Sequence, residues 1–360
     1  MKQKTDFEPF KIGTIFNSVK GGPYEAILKK NHVKIRYPSR LNLMAIDPSK
    51  IATNQNLIYT PGEYILKVKI YKEIGVKIDK ESEKIIISPS SKRKPLILHS
   101  ALLMKKALGF KEGLYIDAYN SKELRHVGLG SSSALIASVA CAINELYGKP
   151  IKAKHLIQYL AQNHGEEIDN DPGYINPVQC IGGSAAGGQY KGALIILAGR
   201  NRVIQTMNIP RDYKVVIGIP KDFIELDFRE LLKKERAVFY KFINCGVKYG
   251  PKIAYQTLHS VLPAMVEGDL KTVGDLVYDY RFNMGSIDNC SYTYPALNRL
   301  ASKLSFLKTK GYVDILSISS VGPAFFAVCK NFKKCKSAFE KENLDTFITE
   351  PENRKYQVIG

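Results

Sequence analysis

A short glycine- and serine-rich segment constrains the fold of this 360-residue chain more than any other feature. Residues 114–119 alternate between apolar and polar side chains, which predicts a strand. From Leu135 to Leu146 apolar residues recur at helical spacing, and Gly148 and Pro150 stop the predicted helix. The sequence Gly-Leu-Gly-Ser-Ser-Ser at 128–133 therefore lies where a strand leads into a helix.

This position predicts a binding site for a phosphate group. The first turn of a helix has unpaired N–H groups and a positive dipole end, and glycines let an anion approach the backbone closely. The serines add hydroxyl donors, and Ser132 adds an oxygen ligand for magnesium. The alternative is a serine-rich N-cap behind an ordinary glycine turn. The residues expected to hold the phosphates are Gly128, Leu129, Gly130, Ser131, Ser132 and Ser133.

The same segment resembles the second motif of the GHMP kinase superfamily, which includes galactokinase, homoserine kinase and mevalonate kinase. It lacks the lysine of a P-loop and does not continue as a dinucleotide-binding GxGxxG sequence. Residues 38–43, Pro-Ser-Arg-Leu-Asn-Leu, resemble the first motif of the superfamily. Residues 314–328 read as strand, tight turn and strand, and resemble the third. Three motifs in the right order make a chance match improbable.

The resemblance implies an α+β fold with the two domains of the GHMP kinases. These are an N-terminal domain like ribosomal protein S5 domain 2 and a C-terminal ferredoxin-like α/β sandwich. We expect an N-terminal extension at 1–32, the phosphate- and nucleotide-binding domain at 33–211 and the C-terminal domain at 212–360. Apolar periodicity between 153 and about 167 predicts a helix before the glycine-rich segment 182–188.

The resemblance also implies which residues meet the substrate. The first motif lines the substrate pocket in the superfamily, so Arg40 and Asn42 are expected there. Arg40 would hold an anionic group with its planar fork of donors and assist catalysis. His126 lies just before the glycine loop, and Ser320 and Gly322 belong to the third motif. All five are predicted to bind substrate.

The catalytic base is harder to assign. In the superfamily the segment before the middle glycine pair supplies an aspartate, or an asparagine in homoserine kinase-like members. Counting back from Gly182 by the usual spacing reaches Ile175, which cannot act as a base. Asp171 is therefore the candidate for activating the acceptor hydroxyl, with Asn176 as the alternative.

An acidic residue on the helix upstream commonly holds magnesium in the superfamily. Glu166 is the predicted ligand here, together with Ser132, and Glu167 is the alternative to Glu166. A solvated acidic turn would explain these carboxylates equally well.

Three functions are compatible with these motifs. The leading one is an ATP-dependent kinase that transfers phosphate to the hydroxyl of a sugar-like or other small metabolite, with Mg²⁺. The alternative rests on residues 38–40, 262–270 and 319–323 and on His126. They resemble archaeal β-ribofuranosylaminobenzene 5′-phosphate synthases, which condense phosphoribosyl pyrophosphate with 4-hydroxybenzoate and release carbon dioxide and pyrophosphate. A non-catalytic binder of a phosphorylated ligand is the second alternative, because the family aspartate is missing.

Composition excludes several other classes. The net charge is +19, but the lysines are dispersed and no RNP1-type motif occurs, so we expect no specific nucleic-acid partner. Runs such as 91–94, Ser-Lys-Arg-Lys, are interpreted as solvated surface. No apolar run approaches the ~20 residues of a membrane helix. Six cysteines without CxxC pairing fit reduced thiols in a cytoplasmic protein. The expected partner is a small anionic substrate, and a homodimer is a further expectation.

Overall fold

The computed structural model describes residues 8–51, 61–120, 128–169, 171–224 and 227–360. Strands β1 to β9 are Phe10–Lys11, His32–Ala45, Glu63–Asp79, Ile85–Ile87, Gly113–Asn120, Gly165–Ile168, Asp171–Pro177, Leu194–Ala198 and Arg202–Met207. Helices α1 to α4 are Lys94–Leu108, Ser131–Leu146, Ala153–Gln162 and Gly183–Gln189. The elements before residue 208 form the first domain. The predicted strand at 114–119 and the predicted helix after the glycine loop therefore both lie inside described elements.

The remaining elements begin with a strand at Lys214. Strands β10 to β14 are Lys214–Pro220, Ile315–Ile318, Phe325–Cys329, Leu344–Thr349 and Gln357–Val358. Helices α5 to α11 are Phe228–Gln256, Leu262–Glu267, Leu270–Tyr278, Ser286–Asn289, Leu297–Leu304, Phe306–Thr309 and Phe332–Lys341. None of the described helices combines the length and the apolar composition that a membrane span requires.

The first domain is built on the long antiparallel pair of β2 and β3. Its sheet runs in the order β14-β2-β3-β5-β4, and β8 and β9 extend it from β3. The β2–β3 register shifts directly after Pro38, which has no N–H to give to the ladder. The strand continues through this bulge, so Pro38 causes a local irregularity within a single strand.

Helices α1 and α2 cover one face of this sheet. Strand β3 contributes alternate buried residues such as Ile74 and Val76, and β2 contributes Ile35 opposite Ile74. From Ala134 to Leu146 helix α2 is buried on every side, as expected for a helix with apolar and small residues all round. The glycine loop is therefore attached to the most deeply buried helix of the domain.

The helix predicted to reach Glu167 ends at Gln162, and this part of the prediction is wrong. Residues Gly165–Ile168 form β6, which pairs antiparallel with β7 so that Glu166 lies opposite Asn176. The pairing partner lies about ten residues further along the chain, and its ladder hydrogen bonds override the local helical periodicity.

The described part of the predicted N-terminal extension is integrated into the first domain. Phe10 of β1 pairs with Ile175 of β7 and joins the main apolar core. The Asn163 side chain accepts hydrogen bonds from the N–H groups of Phe16 and Asn17, at 2.7 and 3.1 Å. These contacts attach the segment to the end of α3.

The second domain has the split βαβ order of a ferredoxin-like sandwich. Its sheet runs β11-β12-β10-β13 and is antiparallel throughout. Alternate residues of β10 enter different cores: Val216 packs with the layer of α9 and α11, whereas Val215 and Ile217 pack with Leu41 and Leu43 of β2. An apolar core is therefore continuous across the junction of the two domains.

The end of the chain returns to the first domain, which the expected boundaries at 212–360 do not include. Pro351 bridges to Val68, and β14 pairs with β2. The Lys67 ammonium, fully buried, donates to the carbonyls of Tyr190 at 2.7 Å and Arg354 at 2.8 Å. One buried lysine thus attaches the C-terminal segment to the first sheet.

The Lys67 contact makes stability depend on pH. Burial lowers the pKa of Lys67 to about 7. Above that pH the unfolded chain binds this proton more readily than the folded one, so the free energy of unfolding rises with pH until the ordinary lysine pKa of ~10.4. We expect the difference in unfolding free energy, wild type minus Lys67→Met, to increase between pH 7 and 10 by up to ~1.4 kcal/mol per unit.

Urea denaturation at several pH values measures this difference. Lys77→Met, which removes a lysine from the exposed side of the same strand, is the matched control. The account would be contradicted if the difference in unfolding free energy between wild type and Lys67→Met had the same pH dependence as the difference between wild type and Lys77→Met.

Candidate active site

The glycine loop has the backbone geometry that its sequence requires. Gly128 has φ 92° and Gly130, the N-cap of α2, has φ 62°, both in the left-handed region. A Cβ atom on Gly128 would lie 2.2 Å from the carbonyl oxygen of Ser319. Any side chain at Gly128 would therefore displace the loop from the second domain.

The Ser319 hydroxyl joins the three sequence motifs. It accepts a hydrogen bond from the Asn42 N–H at 3.0 Å and donates one to the Gly128 carbonyl at 2.6 Å. The Ser320 N–H donates to the Asn42 carbonyl at 3.3 Å. Strand β2, the glycine loop and the β11–β12 turn consequently meet at one point.

A cavity of about 250 Å³ opens in front of the loop. Its lining includes every loop residue together with the predicted residues Arg40, Asn42, Ser132, Glu166, Ser320 and Gly322. His126, also predicted to bind substrate, lies outside the described residues. The structure therefore brings the glycine loop and these predicted residues to one cavity.

Arg40 presents unused hydrogen-bond donors to this cavity. A Cβ atom on Gly130 would lie 2.9 Å from the guanidinium carbon of Arg40, so the two groups are in contact. The Nε and Nη1 atoms of Arg40 are buried and have no hydrogen-bond partner among the described residues. Buried donors without acceptors are costly, and an anion bound at the loop would satisfy them.

Sequence analysis missed Arg93, the most highly connected side chain at the loop. It is buried at the start of α1, and it donates to Ser131 Oγ at 3.0 Å, Ser132 Oγ at 2.7 Å and Glu167 Oε1 at 2.5 Å, and also to Glu166. The interpretation of the basic run 91–94 as solvated surface is therefore wrong for Arg93. The sequence did contain one signal, because Arg93 lies directly before a helix. The starts of several helices lie close to this loop, so a residue at such a position can reach it.

Ser132 and Glu166 come together, but not as an open metal site. The Ser132 hydroxyl donates to Glu166 Oε1 at 2.5 Å, which joins the two predicted magnesium ligands. Arg93 donates to both of them, so a positive charge already lies between these oxygens. Mg²⁺ requires near-octahedral oxygen ligands, so in this arrangement the pair does not fit the ion. Within the described ranges there is no cluster of three or more His, Cys, Asp or Glu side chains that could hold a metal.

Asp171 lies away from the cavity, which removes the geometric basis for its predicted role as a base. It begins β7 at the tip of the β6–β7 hairpin, and its carboxylate accepts from the Gly173 N–H at 3.1 Å in its own turn. Asn176, further along β7, is buried, and in the part of the chain that the structure describes its Nδ2 atom has no hydrogen-bond partner. The sequence did not indicate this hairpin, because its periodicity predicts a helix up to about residue 167, whereas β6 begins at Gly165.

Glu63 is a further residue of the cavity that no motif indicated. Its Oε2 accepts from Asn42 Nδ2 at 2.5 Å, and its Oε1 accepts from the Gly183 N–H at 2.8 Å. The Ser133 and Ser184 hydroxyls are hydrogen-bonded at 2.7 Å. Through these contacts the first residues of α4 are attached to β2, β3 and the loop.

A second, more apolar pocket of about 170 Å³ adjoins the first. The two share Asn42, Val178, Gln179, Ile181, Ser320 and Val321. The rest of the pocket includes the side chains of Pro48, Ile51, Pro61, Phe239, Phe242 and Tyr280. A flat apolar group would be enclosed here with one end toward the glycine loop.

Arg281 gives this pocket a positive charge at the junction. It is buried, and its donors go to the carbonyls of Leu43 and Ser320, the Ser286 hydroxyl and the Asn42 side-chain oxygen, at 2.6 to 3.1 Å. All four acceptors are neutral, and burial lowers the pKa of Arg281. Glu235 also lines the pocket, and burial raises the pKa of its carboxyl, which favours its neutral form. The pocket therefore suits an apolar molecule with an acidic group.

Comparisons with known proteins identify the proteins that this chain resembles. Residues 95–184 match the family model described as the GHMP kinases N terminal domain. A β-ribofuranosylphenol 5′-phosphate synthase of Methanothermobacter thermautotrophicus is 22% identical, over 82% of this chain and 88% of the relative. A protein of the same name from Archaeoglobus fulgidus is 22% identical, over 91% of this chain and 99% of the relative.

Solved structures of low sequence identity have the same fold. The galactokinase of Lactococcus lactis in complex with galactose has a TM-score of 0.63 at 15% identity, with 91% of this chain and 95% of that chain covered. The mevalonate diphosphate decarboxylase of Enterococcus faecalis, described with its ATP-binding mechanism, has a TM-score of 0.58 at 14% identity, with 91% and 99% covered.

Removing the Ser319 hydroxyl tests whether the motif contact organises the loop. Ser319→Ala leaves a buried N–H of Asn42 and the Gly128 carbonyl unpaired, which should lower the free energy of unfolding by about 1–3 kcal/mol. Inorganic pyrophosphate should bind this variant more weakly than wild type, as measured by titration calorimetry.

Ser317→Ala is the matched control. Ser317 is equally buried, but its hydroxyl donates to the carbonyls of Leu43 and Ile318 and not to the loop. The control should lose stability and keep its pyrophosphate affinity. Equal affinities for pyrophosphate in the two variants would show that the loop does not depend on Ser319.

Proposed function

From the GHMP kinase fold of this chain and its GHMP kinase N-terminal domain, we propose that it condenses a phosphoribosyl diphosphate with a small aromatic acid. The fold and the relatives make the chain an enzyme, a phosphotransferase or related transferase. The observation that carries the finer proposal is the two-part site. Unpaired Arg40 donors lie at the phosphate loop, and an apolar pocket with buried Arg281 adjoins it.

In this reaction the bond between ribose C1 and the diphosphate breaks, and the diphosphate leaves with the bonding electrons. The ring carbon that carries the carboxylate bonds to C1, and the carboxylate leaves as carbon dioxide. Charge therefore develops on the leaving diphosphate. The loop N–H groups and Arg40 would stabilise it there, in a site formed before the substrate binds.

The acceptor would be oriented by the second pocket. Its aromatic side chains enclose a flat ring, and Arg281 lies against the residues that the two pockets share. An acid bound with its carboxylate near Arg281 would direct its reacting carbon toward the loop. Excluding water from this junction would protect an electron-poor ribose carbon from hydrolysis.

An ATP-dependent kinase is the second candidate, and the Gly-Leu-Gly-Ser-Ser-Ser sequence of the loop favours it. Two observations count against it. Asp171 does not line the cavity, and Arg93 donates to both Ser132 and Glu166, the pair that would hold Mg²⁺. A non-catalytic ligand binder would need neither a catalytic base nor a magnesium site. Phosphate binding alone, however, would not require the adjoining apolar pocket.

Thermal shift measurements distinguish the candidates. A ligand that binds only the folded state at ~100 times its dissociation constant adds about 2.7 kcal/mol of stability. Phosphoribosyl pyrophosphate should raise the melting temperature of wild type, and ATP and ADP should have little effect. Arg40→Gln should lose most of the shift. A clear shift with ATP and none with phosphoribosyl pyrophosphate would favour the kinase instead.

The charge of the acceptor provides a second test that needs no variant. In the presence of pyrophosphate, 4-hydroxybenzoate should bind at least about tenfold more tightly than the neutral 4-hydroxybenzamide, because a hydrogen bond to a charged group contributes about 1.5–3 kcal/mol. Calorimetric titration measures both affinities. Similar affinities for acid and amide would contradict the role given to Arg281.

A further inference from the structure

Lys72 occupies a core position on β3. The residues Ile74, Val76 and Ile78 of this strand alternate toward the core, and Lys72 continues the same row. Its relative exposure is 3%, so the strand pattern calls for an apolar residue there. A buried lysine at this position needs an explanation in terms of its surroundings.

Its surroundings within the described ranges do not neutralise its charge. The Lys72 ammonium has one hydrogen-bond partner, the Ser39 hydroxyl at the long distance of 3.4 Å. Arg93 and Arg40 lie close enough to disfavour its charged form, and with burial they lower the pKa of Lys72 to about 8. Lys72 therefore adds a third cation to the two arginines, and a bound anion would stabilise all three.

A separate cavity of about 340 Å³ lies beside Lys72, behind the glycine loop. Lys72 and Arg93 are its buried cations, and Lys92 and Ser90 are exposed at its edge. It shares Ser131 with the cavity in front of the loop, and Arg93 donates to Ser131 and Ser132. The two cavities therefore adjoin at Ser131, at the start of α2, and Arg93 of the rear cavity donates to two serines that line the front one.

We propose that this rear cavity binds a phosphate monoester, with Lys72 as the main contact. Taken together with the proposed function, on which this identification of the ligand rests, the monoester is the 5′-phosphate of the phosphoribosyl donor. The glycine loop and Arg40 then hold the diphosphate on the other side. The donor is then recognised through its monophosphate and its diphosphate, which bind at two separate sites.

Titration calorimetry with three ligands tests the two sites independently. The ligands are ribose 5-phosphate, inorganic pyrophosphate and phosphoribosyl pyrophosphate. Lys72→Met should weaken ribose 5-phosphate and phosphoribosyl pyrophosphate at least about tenfold and change pyrophosphate less than about twofold. Arg40→Gln should weaken pyrophosphate and leave ribose 5-phosphate nearly unchanged. Lys67→Met removes another buried lysine of the same strand, whose ammonium donates to the carbonyls of Tyr190 and Arg354, and it should bind all three like wild type.

The variant is expected to fold, because replacing a buried unpaired ammonium with an apolar chain of similar volume is neutral or stabilising. Its melting temperature checks this, and Lys72→Gln is the second variant. Wild-type affinity of both variants for ribose 5-phosphate would overturn the proposal, as would no binding of ribose 5-phosphate to wild type. If ribose 5-phosphate binding depends on Lys72 while phosphoribosyl pyrophosphate does not bind, the proposed function fails and the phosphate site stands.

Discussion

The site depends on one hydroxyl group at the junction of the two domains. Ser319 accepts from the backbone of β2 and donates to the backbone of the glycine loop, so one buried side chain positions elements from both domains. The left-handed Gly128 allows this close approach. The apolar core beneath, shared by β2 and β10, prevents the two domains from separating without exposing apolar surface.

Positive charge without carboxylate partners is the second organising feature. Among the described residues, Arg40, Lys72 and Arg281 are buried in part or in full, and none has a carboxylate in ion-pair contact, whereas Arg93 is paired with Glu166 and Glu167. Unpaired buried cations cost stability, and a protein that keeps several around one loop is suited to a ligand with several negative charges. The monophosphate and diphosphate of the proposed donor and the carboxylate of the proposed acceptor would supply these negative charges.

Local patterns in the sequence predicted the elements that carry the site. The strand before the loop and the helix after it follow from alternation and helical spacing, whereas the expectation that Arg40, Asn42 and Ser320 line the substrate pocket came from the family resemblance. Periodicity did not predict the strands whose hydrogen-bonding partners lie further along the chain. Residues 165–167 lie in the predicted helix but form part of β6 and pair with β7, which places Asp171 at a hairpin tip. The return of 351–360 to the first sheet had no local signal. Lys72 did have a local signal, because it interrupts the alternating apolar residues of β3.

The central claim is that the arginine-lined loop holds a leaving diphosphate while the adjoining pocket holds an aromatic acid. Incubation with phosphoribosyl pyrophosphate and carboxyl-labelled 4-hydroxybenzoate tests it most directly, with labelled carbon dioxide and pyrophosphate as the measured products. The account predicts that both are released in equal amounts and that ATP cannot replace the phosphoribosyl donor. Phosphorylation of a hydroxyl group at the expense of ATP, with no release of carbon dioxide from the acid, would contradict it.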